Sequence, residues 1–204
     1  IPGKSGEKSI DPMEVIYKFK SYNDGSVLDF IPSRLELSYS LKSPGQKEQL
    51  LSKLVSKIEK NYDAIIFDCP PTESLITTAA YLASEYILVP VKPEYLSTIG
   101  LPLLARSMDD FRRQYEDHNL ELAGIIFNDT SSSYNYEKEK SKEEVRKIAS
   151  SNGWYVFENE IGYSSSYPKG SREDKAIFHT SYAHQKQSSK FKAFYYELKQ
   201  RIGL

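Results

Sequence analysis

The residue best placed to do chemistry is Asp68. It ends an apolar run, Ala64-Ile65-Ile66-Phe67, and is followed at once by Cys69, Pro70 and Pro71. Short apolar runs bounded by breakers read as buried parallel strands. A carboxylate at the C-terminal tip of such a strand faces the crevice where open α/β sheets bind ligands. There it can hold Mg²⁺, often through the ion's waters, while a nucleotide is hydrolysed. The alternative is an Asp that only caps the following turn. Cys69 reads as a small packing residue, since a thiol without a neighbouring base is a poor nucleophile. Pro70 and Pro71 stiffen the turn. Asn128 is the second candidate. It closes the run Gly124-Ile125-Ile126-Phe127 at the same predicted sheet edge, where an Asn-Asp pair with Asp129 can shape a turn.

Other chemistries are excluded by composition. Cys69 is the only cysteine, so no internal disulfide forms, and His118, His179 and His184 lack ligand spacing with it. The histidines lie in polar surroundings and offer no Ser/His/Asp or Cys/His arrangement. No apolar stretch approaches the roughly 18 residues of a membrane span. Charge is uneven. From Tyr163 to Leu204 eight basic residues stand against three acids, +5, which leaves −6 for the rest of a chain with net charge −1. That asymmetry suits an anion-facing surface, or merely a solvated face on the last helix. Lys169, Arg172, Lys175, Lys186 and Lys190 are the candidate phosphate contacts.

The elements that must position these residues alternate. Ile10 to Lys20 predicts a short helix capped by Asp11, and Ser26 to Ile31 a strand. Leu50, Leu51, Leu54, Val55 and Ile58 give an amphipathic helix within 45–60. The strand ending in Asp68 follows, then a helix capped by Thr72 with Glu73 in its first turn. Next come a strand near 86–91, a helix over 100–115, a strand over 122–127, a charged helix over 137–150 and a strand over 154–160. Residues 162–168 read as a loop before the last helix. Strands alternating with helices imply an α/β fold, a mainly parallel sheet flanked by helices on both faces, in one domain over 1–204.

Taken in order, Asp68-Cys69-Pro70-Pro71, Leu75-Ile76-Thr77, Val89-Pro90-Val91, Pro93-Glu94-Tyr95 and Gly100-Leu101 resemble the ParA-type partition ATPases, the deviant Walker-A family that includes MinD. The likeness continues more weakly through Gly124–Asn128 to the C-terminal helix. It implies a P-loop NTPase-like fold and an ATPase that partitions plasmids or chromosomes. Such a protein dimerises with ATP, binds DNA without sequence preference and answers to a ParB-like adaptor in a bacterial cytoplasm, on the nucleoid and not on a membrane. The resemblance makes Cys69-Pro70-Pro71 the second switch, Asp68 the acidic partner of Mg²⁺, and Asn128 the contact to the adenine edge.

The family's phosphate-binding loop and first strand are not found in the sequence. Gly3-Lys4-Ser5 lacks a preceding strand, the earlier glycine of the motif and a following helix, so it does not build the cradle of N–H groups. The expectation is therefore a sheet lacking its first strand, in a fragment of the parent ATPase that neither binds ATP tightly nor hydrolyses it alone. A non-hydrolysing interaction module without a nucleotide site is the alternative. The family's arginine pair after the last strand is also replaced, by Tyr163-Ser164-Ser165.

Overall fold

The computed structural model describes residues 11–33, 47–70, 74–130, 135–180 and 185–204. Gly3-Lys4-Ser5, Pro71, Thr72, Glu73 and His184 lie outside the described residues. The chain divides into two compact units, Ile1–Ser84 and Glu85–Leu204.

The first unit opens with a 3-10 turn, Pro12–Val15, capped by the Asp11 carboxylate accepting from Met13 N–H. The expected helix through Lys20 does not form. Instead Tyr17–Ser21 (β1) pairs antiparallel with Val27–Phe30 (β2). Tyr17-Lys18-Phe19-Lys20 alternates with the period of a strand, and Asp24-Gly25 closes the hairpin. Gly25 takes the left-handed conformation that a side chain disfavours, φ 86°. The Asp24 carboxylate accepts from Ser26 N–H at 3.0 Å. The helix Gln49–Ile58 (α1) matches the amphipathic repeat. The helix Leu75–Leu82 (α2) begins at Ser74, whose hydroxyl accepts from Thr77 N–H, so Ser74 rather than Thr72 is the cap.

Residues 64–70 form no strand ladder, contrary to the expected strand over 63–68. A parallel strand exists only with neighbours to take its N–H and C=O groups, and none pairs with this run among the described residues. Ile66 is 91% exposed.

The second unit holds the parallel sheet, in the order β3-β4-β5: Tyr86–Val91, Glu121–Thr130 and Ile161–Gly162. Tyr95–Gln114 (α3) follows β3, and Tyr136–Ser151 (α4) follows β4. Expected strand 154–160 splits in two. Val156 makes an isolated parallel bridge to Ile125, then the chain bends at Glu158–Asn159 before β5. Glu197 holds the bend from the last helix, Gln185–Ile202 (α6). Its carboxylate accepts from Glu158 N–H at 2.8 Å, from Asn159 N–H and Nδ2, and from the Tyr155 hydroxyl at 2.8 Å. Burial works to raise Glu197, but these hydrogen bonds prevail and hold it below the usual carboxylate value. The same bond to Glu197 pushes the Tyr155 hydroxyl up to about 12.

β4 is the spine of the core. Leu122, Ile125 and Phe127 pack with Leu101 and Met108 of α3 and Val145 and Ala149 of α4. Ile126 faces the other side, with Phe157, Ile161 and Phe194 of α6. Helices thus cover both faces, as expected. Strict alternation would part Leu122 from Ile125. A bulge reconciles them, because Ile87 pairs with Leu122 but Leu88 with Gly124, which leaves Ala123 as an extra residue. Gly124 is required there: a Cβ would lie 2.7 Å from the Phe157 ring and 3.0 Å from the Tyr155 carbonyl oxygen.

Two further boundaries differ from the sequence reading. α3 starts at Tyr95, not Gly100, and runs through Pro102 at the cost of one backbone bond. Ser166–Arg172 (α5) is a short helix where a loop was expected.

Candidate functional site at the carboxyl edge of the sheet

Val91 pairs with Phe127 in the parallel ladder, so Lys92 leaves the sheet just past β3 at the edge where Asn128 continues β4. Asn128 is exposed and its backbone pairs with Ile161 of β5. Thr130 pairs with Gly162, so Asp129 between them is an extra residue, and it adopts φ 58°. Its carboxylate meets Lys92 Nζ at 2.6 Å. That hydrogen bond, then the charge of Asp129, raises the Lys92 ammonium above its ordinary value. Sequence reasoning treated Asp129 only as a turn partner of Asn128 and passed over Lys92. The available signal was a charged residue shortly after each of two apolar runs, 86–91 and 124–127.

Asp68 is exposed at the end of the unpaired 64–68 run, in the first unit. Asn128 belongs to the second, so each is placed by its own unit. An exposed carboxylate there suits an ion that keeps its waters, as Mg²⁺ does. Among the described residues no group of three or more His, Cys, Asp or Glu is placed to hold a metal directly. Cys69 is exposed as a residue, yet crowding around its sulfur and the Asp68 charge raise its thiol above the usual value. It is a thiol at neutral pH, not an activated nucleophile. Pro70 is exposed beside it.

Lys169 and Arg172 lie on α5, and Lys175 follows in a return that folds back on the helix. The return is tight: a Cβ on Gly170 would stand 2.8 Å from the Lys175 carbonyl oxygen. Lys175 Nζ lies 3.5 Å from the Glu173 carboxylate. Lys186 and Lys190 are exposed, one turn apart on α6. Among the described residues no helix is long and apolar enough to cross a membrane.

A parallel sheet with helices on both faces and polar residues at its carboxyl edge defines an α/β protein. The sequence family described as "AAA domain" matches residues 7–122. A ParA family protein of Chlamydia trachomatis is 35% identical over 136 residues, covering 64% of this chain and 48% of its own. The cell division protein PomZ of Myxococcus xanthus is 27% identical over 154 residues, covering 74% and 47%. An ATP complex of a Cyanothece McdA variant superposes with TM-score 0.74 at 18% identity, over 96% of this chain and 72% of the other. Cobyrinic acid a,c-diamide synthase of Mycobacterium smegmatis, with an ATP analogue and magnesium, gives 0.60 at 20% identity, over 76% and 61%. The chain belongs to the ParA-type partition ATPase family. It spans about half the length of the curated relatives it matches.

Proposed function

We propose that this chain is the larger part of one ATPase domain whose full-length protein positions a plasmid or chromosome. In this reading ATP switches the protein between a monomer and a homodimer that binds DNA of any sequence. A ParB-like adaptor stimulates the cycle in the cytoplasm, on the nucleoid. The observation that carries the reading is the succession of sequence motifs from Asp68 to Gly100, inside the family match, which includes the parallel strand β3 ending beside Lys92.

Asp68 would hold a water of Mg²⁺, and Asn128 would meet the base. The bound Mg²⁺ supplies charge neutralisation at the phosphates. Cys69, Pro70 and Pro71 would carry a change at Asp68 onward to the dimer and DNA surfaces. A further parallel strand, with its phosphate loop, would pair beside the 64–68 run and bury it. Without that loop the 204 residues bind ATP too weakly to give heat in a titration at micromolar protein.

The test is Mg²⁺-dependent ATP hydrolysis by the full-length protein. Asp68→Ala should abolish it, and near-normal turnover by the variant would reduce Asp68 to a cap. Full-length protein that never turns over ATP would favour a non-hydrolysing interaction module instead.

Lys169, Arg172, Lys175, Lys186 and Lys190 supply the phosphate contacts in this proposal. Each contact adds roughly one unit to the slope of log affinity against log salt. Replacing Lys169, Arg172 and Lys175 together by alanine should flatten that slope by about two to three units with ATP binding intact. An unchanged slope would move the DNA surface elsewhere.

A further inference from the structure

The pair formed by Lys92 and Asp129 has no part in the chemistry so far described, yet it occupies the edge where Asn128 is exposed. Its geometry is specific. Asp129 is the extra residue between two ladder pairs, in a left-handed conformation that few side chains adopt and aspartate tolerates better than most. The bulge takes its carboxylate out of the ladder to Lys92 Nζ, 2.6 Å away. Both side chains remain accessible, 55% for Lys92 and 32% for Asp129.

The neighbouring groups have opposite preferences for purines. A carboxamide offers one acceptor and a donor group, the complement of adenine's amine and ring nitrogen. A carboxylate offers acceptors only, the complement of the adjacent N1–H and exocyclic N–H donors of guanine. An Asp129 left free beside Asn128 would therefore welcome guanine. Bound to Lys92, its Oδ2 is engaged, so it no longer offers guanine a free pair of oxygens, and its charge is balanced.

We infer that Lys92 sets the base selectivity of the nucleotide site proposed above, by engaging Asp129 so that Asn128 alone reads the base. This rests on that site being real. Lys92 acts through Asp129 and is a specificity residue, not a catalytic one.

The test is calorimetric titration of the full-length protein with ATP and with GTP, Mg²⁺ present. The unsubstituted protein should prefer ATP by at least about tenfold, the scale of one good two-point base contact. Lys92→Ala should reduce the preference to about threefold or less by strengthening GTP binding. Lys92→Arg keeps the pair and should keep the preference. Asp129→Asn added to Lys92→Ala should restore it. A Lys92→Ala protein that weakens both nucleotides equally, or that leaves the ratio unchanged, overturns this inference alone. An unsubstituted protein that binds neither nucleotide, or both alike, overturns the proposed base site along with it.

Discussion

The two units contain nearly the same four residues and treat them oppositely. Ala64-Ile65-Ile66-Phe67 in the first differs from Gly124-Ile125-Ile126-Phe127 in the second at one position. Ile126 is 3% exposed and Ile125 and Phe127 are fully buried, while Ile66 stands 91% exposed. Local propensity cannot explain the contrast. β4 has a parallel neighbour on each side and helices above and below. The 64–67 run has no ladder partner among the described residues. The hairpin of the first unit tells the same story, with Phe19, Leu28 and Phe30 each about half exposed. An apolar run is a strand only when its backbone groups and both its faces are answered by other segments.

The largest test of this contrast places one substitution at equivalent positions. In the 204-residue chain, Ile126→Ala should cost about 2–5 kcal/mol in urea unfolding of the second unit, because it leaves a cavity between β4 and α6. Ile66→Ala should stay within about 0.5 kcal/mol. Equal losses at the two positions would break the comparison and show Ile66 buried in solution. In full-length protein, a rise in the Ile66→Ala cost alone would sharpen it, by showing that another segment completes the sheet.

A smaller effect is expected at the bend held by Glu197. Glu197→Gln keeps the shape but loses the charge on several hydrogen bonds, a change of about 1 kcal/mol. The folded carboxyl lies below its ordinary value of 4.5. Its contribution is therefore present above that pH and lost as pH falls through the lower, folded value. Tyr155 works at the other end. Raised from 10.0 to about 12, its contribution is full below pH 10 and is lost as pH climbs toward 12. Unfolding followed against pH should show the variant lacking the acid-side decline. An identical acid limb in both proteins would remove Glu197 as its source.

Legibility in the sequence followed the same division. Strands β3 and β4 were visible in the sequence because each apolar run is short and meets a breaker at its end, Pro90 and Asn128; β5 was not. The bend after Val156 was not, because its cause is Glu197, some forty residues away and on another element. Helix α5 was hidden by Pro168 and three serines, residues usually read as loop, although proline is tolerated in a first turn. In the first unit, alternation over Tyr17–Lys20 was masked by the Asp-Pro pair before it, which looks like a helix start. Of the candidate site, Asp68 and Asn128 stood out because each terminates a run. The Lys92–Asp129 contact did not, since pairing across two strand ends depends on a register that a linear reading does not contain.

The extra residue at Ala123 gives β4 a phase as well as a length. Between Glu121 and Asn128 the strand keeps the usual two-residue beat on either side of it, but the two stretches are half a beat apart. An alignment that slides a gap past this point would assign Leu122 or Ile125 to the wrong face while leaving every identity score almost untouched.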